Sequence, residues 1–206
     1  MSSISLRADP EQLLKIQLKL KHMSKEAPTV LKRAVNATAR DAKTDLANKA
    51  RETYAVKAPR FKKSIVQKNA TNSKPVATLI VKGKSLPLAD FKYRKHGGGA
   101  GAKAKVYKEN SLKDLTLNGK LKAFVVKFKS GHLAVARRDP PNKYTSGLAA
   151  RISTGGDRTK IKEFYSLSIP GMIGNERKVY GIVKPNIQRN LDKHVEREVS
   201  RILRGH

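Results

Sequence analysis

Two glycine-bearing stretches and five histidines are the places where this chain could carry site chemistry. Gly83-Lys84-Ser85 ends like a phosphate-binding loop, in which backbone N–H groups cradle phosphates and the lysine reaches them. That cradle needs a glycine five places before Gly83, and Thr78 stands there. Gly97, Gly99 and Ala102 have the spacing of a dinucleotide fingerprint, which joins an apolar strand to a helix. FKYRKH precedes the run and KAKVY follows it, so neither partner element is present. His22, His96, His132, His194 and His206 include no pair at metal-ligand spacing and no H-E-x-x-H. No G-x-S-x-G elbow presents a serine nucleophile. The absence of cysteine excludes disulfides and thiolate metal sites. Asp41 and Asp45 share a helix face beside lysines and read as charge balance. The expectation is a protein that is not an enzyme, with no catalytic, metal or cofactor-binding residues.

The remaining chemistry is charge. Lys and Arg number 45 against 16 acidic residues among 206, a formal net of +29 spread along the whole chain. So much charge of one sign repels itself in a compact fold, and it calls for a polyanionic partner, nucleic acid first. No RRM signature or zinc-finger spacing is present. Aromatic residues are 5% of the chain, with no tryptophan, which is few for base-stacking platforms. A G-x-x-G at Gly98 to Gly101 lacks the flanking helices of a KH module. The expected contact is therefore with a phosphate backbone, blind to base sequence. Two clusters are candidate DNA-facing groups: Lys57, Arg60, Lys62 and Lys63 in one turn, and Lys92, Arg94, Lys95, Lys103 and Lys105 around the glycine run.

The elements that would position these groups follow from periodicity. Asp9-Pro10-Glu11 reads as a capped start for a helix over 10–23, with Leu13, Ile16, Leu20 and Met23 on one face. A long helix over 28–53 follows, with Pro28 in its first turn and six alanines from Ala34 to Ala50. At about 1.5 Å per residue it is nearly 40 Å long. Its stripe of Ala34, Thr38, Ala42, Leu46 and Ala50 is small enough to let another helix or subunit approach closely, and these are candidate subunit-packing residues. Pro59 opens a short turn holding Phe61 and Ile65. From residue 66 the pattern turns extended. Val76 to Gly83 reads as a strand apolar on both faces, and 86–108 as a basic hairpin arm with a glycine tip. Ser130-Gly131 predicts a two-residue turn that sets Phe128 opposite Leu133 and Val126 opposite Val135. Residues 139–160 read as a long loop that a partner would order, and Pro170-Gly171 as the end of an extended stretch. Pro185-Asn186 opens a last helix through Leu203, with Ile187, Leu191, Val195, Val199 and Ile202 on its apolar face. The whole is a single α+β domain over 1–206, with a β-rich region over 66–184. MSSISLRADPEQ carries no secretory apolar run, and no stretch approaches the ~18 apolar residues of a membrane span.

Three of these segments together resemble the phage minor tail protein Z family, the tail-completion proteins of long-tailed phages. They are VLKRAVNATARDAKTDLANKARETYAVKAPRFKKSI, FVVKFKSGHLAVARR and YSLSIPGMIGN, and they cover 62 of the 206 residues. The family has a similar alanine-rich helix running into a basic turn, a similar K-S-G-H hairpin, and a similar segment before the last helix. The resemblance implies a structural virion protein at the head-proximal end of the tail. Such a protein completes the tail for head–tail joining and helps position genome DNA for ejection. It implies a homo-oligomeric ring, often sixfold in related neck proteins, next to tail terminator, tail tube and head–tail connector proteins. It also implies sequence-nonspecific contact with genome DNA, no membrane partner, and residence in the virion after assembly in the host cytoplasm. The residues alone leave a second reading open, a basic nucleic-acid-binding protein of ribosomal or nucleoid type.

Overall fold

Alanine-rich packing decides how the first part of the chain folds. A computed structural model describes residues 2–7, 10–57, 59–95, 101–117, 120–121, 123–138, 151–152, 156–157 and 161–205. The cap at Asp9, the glycine tip at 97–100 and most of the 139–160 loop lie outside them. The fold is α+β, with a long N-terminal helix, antiparallel strands and a C-terminal helix. Two compact units are present, Met1–Thr53 with Arg60–Lys84 and Ser168–His206, and Tyr54–Pro59 with Ser85–Leu167.

The first unit holds five helices: α1 (Pro10–Leu20), α2 (Ala27–Thr53), α3 (Phe61–Ser64), α4 (Ile169–Ile173) and α5 (Tyr180–Leu203). It also holds strands β1 (Ser2–Arg7), β2 (Ile65–Lys68) and β3 (Val76–Val81), with β3 central and antiparallel to both neighbours. Helix α1 stops at Leu20, short of the expected Met23, and a 3-10 turn over Lys21–Glu26 leads into α2. Lys21 there has φ 46, a left-handed backbone that an α-helix does not accept. Leu31 lies with Val199 in one apolar cluster, Asp41 bonds His194, and the Thr53 hydroxyl reaches the Lys178 carbonyl. These contacts run in opposite directions along the two chains, so α2 and α5 are antiparallel.

Helix α2 is more enclosed than a thin apolar stripe suggests. Ala37, Ala39 and Ala47 are buried beside the stripe residues. Ala34, Thr38, Ala42, Leu46 and Ala50 are no more than 1% exposed in the single chain. The seam is therefore closed by the chain's own elements, and these side chains serve the fold of one copy rather than a neighbour. On β3, Ala77, Leu79 and Val81 are fully buried, while Val76, Thr78 and Ile80 are half-buried. The strand β1 was not signalled by its polar, serine-rich sequence; it is held by pairing with β3 and by buried Ile4.

Two prolines differ from their expected roles. Pro185 does not open α5; it lies inside it, because the Asn175 carbonyl and side chain bond the amides of the preceding turn and start the helix earlier. Pro170-Gly171 begins α4 rather than ending a strand, since the Ser168 hydroxyl accepts from the Gly171 amide at 3.2 Å and caps the helix.

The second unit is built of short antiparallel pairings. Its strands are β4 (Ser85–Pro87), β5 (Lys92–Lys95), β6 (Ala102–Lys105), β7 (Lys113–Asp114), β8 (Thr116–Leu117), β9 (Lys120–Leu121), β10 (Ala123–Lys127), β11 (Leu133–Arg138), β12 (Arg151–Ile152), β13 (Gly156–Asp157), β14 (Ile161–Glu163) and β15 (Tyr165–Ser168). β5, β6 and β7 make one sheet in that order, and β10, β11 and β14 another. The hairpin at Gly131 departs from the expected register. Lys127 faces Leu133, Val126 faces Ala134 and Val125 faces Val135. The Phe128 amide donates to His132 O and the Gly131 amide to Phe128 O, so the loop has three residues, not two. Gly131 takes φ 83, the left-handed third position of a bulged loop that glycine occupies without strain. One extra loop residue slips the register by one and puts Val135 on the face opposite Val126.

Candidate nucleic-acid interface

The arm forms from alternation. In β5 and β6 Tyr93, Ala102 and Ala104 alternate with charge, so one face can pack and the other is wholly cationic. Their register sets Lys92 opposite Lys105, Tyr93 opposite Ala104, Arg94 opposite Lys103 and Lys95 opposite Ala102. Ala102 and Ala104 are buried and Tyr93 half-buried, which makes theirs the packed face. Lys92, Arg94, Lys103 and Lys105 share the other face as two directly opposed cation pairs. Residues two apart on a strand are about 6.6 Å apart, and opposed residues about 5 Å. Four positive heads on so small a patch oppose pairing, since like charges across a ladder are destabilising. An incoming phosphate backbone would relieve that repulsion.

The four cations are not equivalent. Lys105 Nζ donates to the carbonyls of Lys108 and Asn110, at 2.8 and 2.9 Å. Lys103 Nζ lies 3.4 Å from Asp114 Oδ2, brought alongside by the pairing of β6 with β7. Lys92 and Arg94 are exposed and have no ion-pair partner among the described residues. Lys95 is exposed on the opposite face.

The other candidate cluster is divided between the two units. Lys57 belongs to the second unit, and Arg60, Lys62 and Lys63 to the first. The Lys57 ammonium sits 3.6 Å above the centre of the Tyr93 ring and donates to Ala89 O at 2.9 Å. Burial lowers its pKa, partly offset by the Asp90 charge. This lysine fastens the segment before Pro59 to the arm. Arg60, Lys62 and Lys63 are exposed, set on α3 by buried Phe61 and Ile65, each 1% exposed.

Sequence reasoning missed two polar arrangements. Asp114 stands on a two-residue strand with no alternation to reveal it. His194 and Asp41 are 153 positions apart, yet His194 Nε2–H donates to Asp41 Oδ2 at 2.6 Å. His194 and Glu198 are buried on the inner face of α5, where they share the apolar spacing of Leu191 and Val199. Burial first, and then the Asp41 charge, raise the pKa of neighbouring Asp45. Among the described residues, no group of three or more His, Asp or Glu is gathered as a metal site. No protein-family model, curated protein or solved structure matches this chain.

Proposed function

We propose that this chain is a structural protein of a phage virion, acting at the head-proximal end of the tail. It completes the tail for head–tail joining and lines the path of the genome. The supporting observation is the β5–β6 ladder, where Lys92, Arg94, Lys103 and Lys105 share one outer face as two opposed cation pairs. Such a face meets phosphates of any sequence. The role is structural rather than catalytic, and the copies work as a ring beside tail terminator, tail tube and connector proteins. Among the described residues no helix is long and apolar enough to cross a membrane.

The test has two arms. Phage carrying Lys92→Glu with Arg94→Glu is assayed for head–tail joining and DNA delivery, and the purified variant is titrated with duplex DNA across salt concentrations. Loss of both joined particles and DNA affinity supports the reading. Normal particles with normal delivery overturn it. DNA binding that fails while particles form normally points to a nucleic-acid-binding protein outside the virion.

A further inference from the structure

The outer face of the β5–β6–β7 sheet carries one acid among its cations. Asp114 on β7 is the register partner of Lys103, and its Oδ2 is 3.4 Å from Lys103 Nζ. Both side chains keep access to solvent, at 36% and 40% exposure, so neither is locked in a buried pair. A carboxylate so placed offers Lys103 the same charge and the same acceptor oxygens as a phosphate. A surface pair of this type is worth only about 0–1 kcal/mol, so a phosphate can displace it.

We infer that Asp114 is an internal competitor for Lys103, limiting how tightly the ladder grips a nucleic-acid backbone. This rests on the ladder being a phosphate-binding face. Lys105 is turned toward the carbonyls of Lys108 and Asn110. Among the described residues the resting face therefore offers two cations without an ion-pair partner, Lys92 and Arg94, with Lys103 released only when a phosphate replaces Asp114. The chemistry is exchange of one oxyanion for another on a single ammonium, with no covalent step. Its consequence is a weak grip that lets a backbone move past. A face with every cation free would hold DNA in place, since each added phosphate contact deepens binding and its salt dependence.

The experiment measures duplex DNA binding by the full chain across salt for wild type, Asp114→Asn, Lys103→Gln and the double variant. Each neutralised phosphate adds about 0.9 to the slope of log K against log salt. Asp114→Asn is expected to tighten binding by up to about fivefold, the fold-change of a surface pair worth about 1 kcal/mol, with the slope little changed because Lys103 meets one phosphate in either protein. In the Lys103→Gln background the same change should have no effect. Equal tightening with and without Lys103 would show a general charge effect and overturn the inference, as would no tightening at all. Circular dichroism melts keep unfolding of β7 apart from these outcomes. Should Lys92→Glu with Arg94→Glu leave wild-type binding intact, it is the phosphate-face reading that fails, independently of Asp114.

Discussion

Arg94 stands directly opposite Lys103 across the β5–β6 pair, on the same face as the Lys92–Lys105 pair. A stand-alone hairpin gains nothing from this arrangement. Replacing Arg94 with threonine removes one repulsion and adds a residue suited to strands. The variant is expected to melt a few degrees higher than wild type at low salt, with the gain shrinking as salt screens the charges. DNA affinity should move the other way, with the salt slope falling by about 0.9. Melts and titrations on one preparation check both signs, and parallel losses of stability and affinity would contradict the assignment.

Lys57 separates positioning from contact. Its ammonium is engaged by the Tyr93 ring and Ala89 O. Lys57→Met keeps the stem but loses the charge. It should lower stability by about 0.5–1 kcal/mol, the worth of an exposed cation–π contact. The DNA salt slope should stay at the wild-type value. Arg60→Gln, at the exposed N-cap position of α3, should leave stability within about 0.5 kcal/mol of wild type, as surface changes generally do.

Asp45 gives a pH dependence of defined sign. Burial and the Asp41 charge raise its folded-state pKa above the ordinary 3.8. The native state then binds a proton more tightly than the unfolded chain, so this group costs stability as pH rises from 3.8 through the raised value. Asp45→Asn removes that cost. The variant should melt higher than wild type at neutral pH, and the difference should vanish as the pH falls to 3.8 and below. Thermal melts over a pH series test this. A stabilisation that instead grew on acidification would show that the shift has the opposite direction.

What the sequence revealed depended on how local the governing interaction was. The long helix and the β3 strand follow from spacing within one element, and both are present, whereas the arm expected over 86–108 pairs, among the described residues, only over Lys92–Lys95 and Ala102–Lys105, with Ser85–Pro87 paired to β15 instead. Charge clustering around the glycine run grouped Lys92, Arg94, Lys95, Lys103 and Lys105, and the β5–β6 register divides them, with Lys95 on the other face. Long-range facts were hidden. Strand β1 exists through its pairing with β3, many residues away, and its serines give no strand signal. The fate of the alanine seam depended on α5, which has no local mark in α2. His194 and Glu198 occupied apolar positions in the α5 repeat, a clue that spacing offered and chemistry obscured. The proline errors share one cause. Proline fits a first turn well, but other caps decided where α4 and α5 begin.

The Gly131 loop turns the register correction into a measurement. Gly131 has φ 83, and a Cβ built there would meet nothing within 4 Å. Any cost of substitution is therefore backbone strain and not a clash. Alanine at a left-handed position costs about 1–2 kcal/mol, while asparagine, whose side chain bonds locally, tolerates it better. Gly131→Ala should lower stability by about that amount, and Gly131→Asn by distinctly less. A two-residue turn of type I′ would also want a left-handed residue at Ser130, so Ser130→Asn would stabilise that alternative. In the three-residue loop Ser130 needs no such conformation, and Ser130→Asn should be nearly neutral. Thermal melts of the three variants decide between the loops, and a marked gain at Ser130→Asn would restore the shorter turn.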